Sequence, residues 1–295
     1  MTPFPRRVPC GTSDGMSDSP KNVDTPAIRF ADRVNRIAPS PTVAISSLAL
    51  DLRAAGRDVI GLATGEPDFP TPPHVCDAAM RAIRDGHTRY TQVDGILELK
   101  AAIIRKFERE NGITFTPENI SVGTGGKQVL FNALMATVQE GDEVVIPAPY
   151  WVSFAGIVEV AGGTPVYVTS GFADGLKMTA DSLAAAITPR TRWVIINSPS
   201  NPTGMGYSAA ELRALADVIR PHEQVMVISD DLYEHLTYDG FAFHTLAALA
   251  PDMAGRILTL NGVSKSYCMT GWRIGFAAAP APLVRAMAKL QSQST

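Results

Sequence analysis

The stretch Asn261-Gly262-Val263-Ser264-Lys265-Ser266-Tyr267-Cys268-Met269-Thr270-Gly271-Trp272-Arg273-Ile274-Gly275 decides how this chain is read. Its lysine comes just past Arg256–Leu260, a run with strand character. A lysine at a strand end, walled by apolar residues, is poorly solvated. Poor solvation favours the neutral amine, which is a nucleophile for carbonyls. Arg273 follows, flanked by tryptophan and glycine, and its planar fork suits a phosphate. Taken alone, the stretch also fits a Ser-Lys turn before a buried strand, with Arg273 in an ordinary ion pair.

Outward from it, short β-branched runs alternate with helical patterns from Asn119 onward. The runs are Ile120–Val122, Glu143–Ile146, Pro165–Val168, Trp193–Asn197, Val225–Ser229, Ile257–Leu260 and Ile274–Ala278. Seven such strands with helices between them predict an α/β fold, a mainly parallel sheet with helices on both faces. Ligands of such sheets sit at the C-terminal strand ends. Upstream, the pattern predicts helices around Ile45–Leu52, over 73–85 and over Glu98–Asn111, and a short strand at Val59–Leu62. Residues 1–28, rich in Pro, Ser, Thr, Asp and Gly, are expected to be a disordered extension, with Met16 as an alternative start.

Composition excludes several classes. Of 295 residues, 45% are hydrophobic and 19% charged, which reads as globular. A net charge of −3 gives no electrostatic reason for a nucleic-acid partner. Cys10, Cys76 and Cys268 have neither metal nor disulfide spacing, and the histidines are scattered, so no metal is expected and the default compartment is reducing and cytoplasmic. No apolar run is long enough for a transmembrane helix or a secretory signal.

Several strand ends carry chemistry. Gly123-Thr124-Gly125-Gly126-Lys127 joins a strand to a helix, where converging N–H groups attract an anion. Pro147-Ala148-Pro149-Tyr150-Trp151 offers an aromatic face to a flat cation-bearing ring, although a core tryptophan is the commoner fate. Asn201-Pro202-Thr203-Gly204 is also simply a good turn. Asp230-Asp231-Leu232-Tyr233 puts carboxylates at a strand end. Ala63-Thr64-Gly65-Glu66-Pro67-Asp68 is too rich in Pro and Gly for helix or central strand.

From about Phe30 onward, the ordered set of motifs resembles the class I (fold type I) pyridoxal-phosphate aminotransferases, most closely the bacterial aspartate aminotransferase subgroup. The resemblance implies an amino-group exchange between an L-amino acid and a 2-oxo acid. It makes Lys265 the lysine that holds the cofactor and moves the α-proton. Asp230, three before the tyrosine, pairs with the pyridine nitrogen, and Tyr233 and Asn201 face the phenolic oxygen. Gly125, Gly126, Lys127 and Arg273 hold the phosphate, and Trp151 stacks on the ring. Gly65, with Trp151 and Asn201, lies on the substrate side. Tyr90, in Thr88-Arg89-Tyr90-Thr91, reaches the phosphate of a neighbouring subunit, which implies a homodimer with shared sites. Cys268 stands where a smaller residue is expected.

The resemblance also implies domains: residues 29–68 begin a small domain, 69–295 form the cofactor-binding large domain, and the C-terminal part of the small domain is absent. With it would go the arginine that clamps the substrate α-carboxylate, since none follows Arg285. Residues 29–62 would then expose apolar surface. The chain is therefore expected to bind cofactor and to transaminate poorly or not at all. A lyase of the same fold, or a cofactor-binding paralogue that dimerises with a longer partner, shares these motifs. A DNA-binding regulator does not fit, because residues 1–28 cannot hold a DNA-binding domain.

Overall fold

Each of the seven runs forms a strand in the computed structural model, which describes residues 28–295. The extension expected over 1–28 lies, apart from Ile28, outside the described residues. The strands are β1 (Ile120–Thr124), β2 (Glu143–Ala148), β3 (Thr164–Thr169), β4 (Thr191–Asn197), β5 (Met226–Asp230), β6 (Ile257–Gly262) and β7 (Ile274–Ala278). They form one sheet in the order β1-β7-β6-β5-β4-β2-β3. Only β7 is reversed, antiparallel to both β1 and β6, while the other neighbours pair in parallel. Interior strand β4 is buried along nearly its whole length, as a strand covered on both faces must be. Pro165 lies in edge strand β3, where a missing N–H costs little.

The helices are α1 (Asp32–Arg36), α2 (Pro41–Ala54), α3 (Pro73–Arg84), α4 (Leu97–Lys106), α5 (Gly125–Thr137), α6 (Ser153–Ala161), α7 (Ala180–Ala186), α8 (Ala209–Ile219), α9 (Leu246–Leu249) and α10 (Ala281–Gln291). Local chemistry sets their ends. Proline opens α2, α3 and α10, Ser208 and Glu211 close a capping box on α8, and Gly162 ends α6 at φ 93°. Alternate residues of each strand face opposite layers. Ile146, Trp193, Ile195, Ile228 and Leu260 pack with α5, α6 and α10, while Val145, Val194, Ile196 and Val227 pack with α7, α8 and α9. Phe107 closes a third cluster over β1 and β7, edge-on to Phe115 and Phe276.

Two upstream expectations need correction. Val59–Leu62 is not a strand. It pairs with nothing among the described residues, and a strand without a ladder has nothing to hold its backbone. Ile60 and Leu62 are exposed and, with Ile45, Leu48 and Leu52 of α2, line an apolar groove. The helix expected over Glu98–Asn111 is α-helical only to Lys106; Phe107–Asn111 is a wider π-helical turn. Among the described residues, no helix is long and apolar enough to cross a membrane.

Candidate active site

Five strand ends and one strand start converge on a cavity of about 770 Å³. The segments after β1, β2, β4, β5 and β6 supply Lys127, Trp151, Asn201, Asp230 with Tyr233, and Lys265. Because β7 is reversed, its start lies at the same edge and brings in Arg273.

Glycines set the anion end. Gly123, Gly275 and Gly262 are direct neighbours across β1, β7 and β6. A Cβ on Gly275 would overlap the backbone of Gly125 and Gly126, so the first turn of α5 lies directly on β7. Gly125 has φ +78°, and a Cβ there would overlap the Arg273 guanidinium. The guanidinium is oriented by Nη1 donating to Thr270 O at 2.9 Å. A helix N-terminus with free N–H groups beside an arginine fork is a seat for an anion.

The cavity lining also includes a buried carboxylate. Asp230 is only 4% exposed, and its carboxylate accepts the Leu232 N–H at 3.2 Å. Among the described residues no cation pairs with it. Burial pushes this carboxyl up to about 7, against the Leu232 hydrogen bond. Asn197 stitches the loops together: its Nδ2 donates to Asp230 O at 3.1 Å and its Oδ1 accepts the Asn201 N–H at 2.7 Å. Asn201 Nδ2 in turn faces the Tyr233 hydroxyl at 3.4 Å.

The lining also carries the amine and an aromatic side chain. Lys265 Nζ donates to Gly65 O at 2.5 Å. Burial depresses its ammonium, Glu66 opposes that shift and Arg273 adds to it. Trp151 stands edge-on to Phe154, and Lys127 Nζ lies 5.0 Å over the indole. Burial, and then Arg273, depress the Lys127 ammonium. The lining thus offers an anion seat to a phosphate-like group, a buried carboxylate to a cationic group, and an amine to a carbonyl.

The sequence model for class I and II aminotransferases matches residues 57–295. The chain belongs to this family. It is 60% identical, over 90% of its own length and 66% of the relative's, to an aspartate/prephenate aminotransferase of Cereibacter sphaeroides. A probable aspartate/prephenate aminotransferase of Rickettsia bellii is 54% identical, with 90% and 67% covered. The chain therefore spans about two thirds of the length of these curated relatives. Among solved structures, the aspartate aminotransferase from Rhizobium meliloti superposes with a TM-score of 0.88 at 51% identity, covering 91% of this chain and 67% of that one. The Thermus thermophilus enzyme with maleate gives 0.87 at 44%, covering 90% and 69%.

In this aminotransferase-family chain, Lys265, Asp230, Tyr233, Asn201, Trp151, Lys127, Gly126, Gly65 and Arg273 all line the one cavity, and Gly125 backs the arginine. Asp231 faces away, accepting from Ser229 Oγ at 2.7 Å. Tyr90 is not brought there and is fully exposed. Sequence reasoning missed the bonds that tie loop 65–71 to segment 268–272. Thr270 donates to Glu66, Thr71 Oγ1 donates to Cys268 O at 2.7 Å, and Trp272 Nε1 donates to Thr71 Oγ1 at 3.0 Å. No local pattern announces such pairs, which lie about two hundred residues apart.

Proposed function

We propose that this cavity holds pyridoxal phosphate and that the chain exchanges amino groups between L-amino acids and 2-oxo acids. The observation that carries the reading is Asp230: a buried carboxyl without a cationic partner among the described residues, in the lining of a cavity that Lys127, Lys265 and Arg273 also line. A buried acid of this kind is costly unless a ligand supplies the partner, and a protonated ring nitrogen does so. When bound, pyridoxal phosphate supplies the electron sink for breaking a bond at the substrate α-carbon.

The chain's own residues do the rest. Arg273 and the first turn of α5 hold the phosphate. Trp151 would supply an aromatic face to the ring, and Tyr233 and Asn201 would donate to its phenolic oxygen. Lys265, its ammonium depressed by burial, would be the nucleophilic amine and would carry the α-proton as base and then acid. In this reading residues 69–295 are the cofactor-binding part and 29–68 begin a smaller domain. Exposed Tyr90 supports a homodimer with shared sites, and free Cys76 and Cys268 support a reducing, cytoplasmic setting. The names of the relatives support aspartate, with prephenate on the 2-oxo acid side. Among the described residues, Arg273 is the only arginine that lines the cavity. With Arg273 on phosphate, the Gly65 backbone is the contact left among these residues for a substrate carboxylate.

The test is the visible absorbance of the chain with added pyridoxal phosphate, beside Lys265→Ala. A band in the parent alone, which aspartate or glutamate then bleaches, is expected. Identical spectra for parent and variant would refute the cofactor assignment.

A further inference from the structure

Behind the cavity lies a buried ionic network that the chemistry above does not use. Glu234, the residue after Tyr233, is 6% exposed and ion-paired with Lys106 at the end of α4, itself 8% exposed. Its Oε1 also accepts from Asn261 Nδ2 at 2.8 Å, and its Oε2 from Asn111 Nδ2 at 3.3 Å. Asn261 is the penultimate residue of β6, and its Oδ1 accepts the Gly262 N–H at 2.7 Å. None of these side chains lines the cavity.

The π-helical turn is built around this network. A turn closed by i→i+5 bonds sets residues four and five on either side of residue i. Here Glu110 and Asn111 flank Lys106, at 3.6 Å and 2.8 Å from its Nζ. The titratable groups facing Glu234 are Lys106 and Glu110, then Asp231 and His235 of its own turn, and Tyr267 after β6. Glu110, Glu234 and His235 also lie within metal-ligand spacing of one another, but the Lys106 ammonium already supplies the positive charge there.

Buried ion pairs are weak sources of stability, and their best-attested use is to fix one arrangement of elements. We propose that Glu234, seated on Lys106, is a positioning residue: through Asn261 it locks the turn carrying Asp230 and Tyr233 to the end of β6 that leads to Lys265. The phenol and the amine are thereby held in fixed register toward the same ligand. This rests on the cofactor reading above.

The experiment compares two charge-free doubles, Lys106→Met with Glu234→Gln and Lys106→Met with Glu234→Leu. Neither leaves a lone buried charge. Only the glutamine keeps an acceptor for Asn261. With pyridoxal phosphate added, the readout is the pH midpoint of the visible band, beside the thermal midpoint as a check of folding. The glutamine double is expected to keep the parent's pH midpoint. The leucine double should move it by about half a unit or more, since hydrogen bonds and charges at the ligand set its titration. Asn261→Ala cuts the same bond from the other end and should give the same shift, which covers a leucine double that fails to fold. Equal midpoints in the parent and both doubles would overturn the positioning role, and equal shifts in both doubles would assign the effect to charge instead. A parent without a band would overturn the cofactor reading, and this proposal with it.

Discussion

Replacing Gly275 by alanine tests the glycine row at the anion seat. The backbone of Gly275 is not left-handed, so alanine meets no conformational penalty there, and the cost is purely steric. Its Cβ would overlap Gly125 and Gly126, which are backbone atoms and cannot swing aside. Overpacking of this kind typically costs ~1–3 kcal/mol. Relief requires α5 to lift off β7, which also moves the Gly126 N–H and the Arg273 fork out of register. Gly156, inside α6, has open space where a Cβ would go. The same substitution there should stabilise by ~0.5–1 kcal/mol through helix propensity alone. Thermal unfolding separates the two in sign, at roughly 2 °C per kcal/mol for a domain this large. Titration with pyridoxal phosphate should then show weakened binding for Gly275→Ala and parental binding for Gly156→Ala. Parental stability and parental cofactor affinity in Gly275→Ala would refute the close approach of α5 to β7, and with it the account of the seat.

The remaining predictions concern charge. Burial pushes Asp230 up to about 7 and Asp231 up to about 8, so the folded chain holds protons that the unfolded chain releases from about pH 4. That contribution to stability is complete below pH 4 and is lost as pH rises through 7 to 8. The denaturant midpoint of the cofactor-free chain should therefore fall between pH 5 and pH 8, and less steeply in Asp230→Asn; an equally steep fall in that variant would refute the assignment. Arg273→Lys keeps the charge but loses the fork, and should weaken pyridoxal phosphate binding by about tenfold. An unchanged affinity, read by absorbance titration, would show that the first turn of α5 alone holds the phosphate.

The sheet was legible because each strand is a short apolar run bounded by turn residues, and burial on both faces demands such runs. Val59–Leu62 reads the same way, yet it has no partner among the described residues, and pairing is not a property of the segment itself. The π-helical turn after Lys106 was equally hidden, because it answers to Glu234, far along the chain. That the candidate residues would meet in one cavity was legible one strand end at a time, since the C-terminal edge of a parallel sheet collects whatever follows each strand. What stayed invisible is the layer that holds them: Thr270 on Glu66, Trp272 on Thr71, and Asn261 on Glu234. Those bonds join loops whose proximity only the finished fold creates.

The direction of β7 was also unread, and it decides whether the site can exist. Lys265 and Arg273 both lie in the eleven-residue connection between β6 and β7. An antiparallel neighbour can be reached without leaving the sheet edge, whereas a parallel one needs a crossover of roughly a dozen residues or more. Had β7 run parallel, its start would lie at the far edge. Its five residues, at about 3.3 Å each, would put Arg273 roughly 17 Å from the amine, on the wrong side of the sheet. Reversal instead keeps the whole connection at the edge where α5 begins. The Gly275 position then does two jobs with one missing side chain. It completes the ladders to Gly123 and Gly262, and it admits the helix N-terminus against the strand. The anion seat is thus a consequence of strand direction and of a glycine, and Arg273 reinforces a positive end that the backbone already makes.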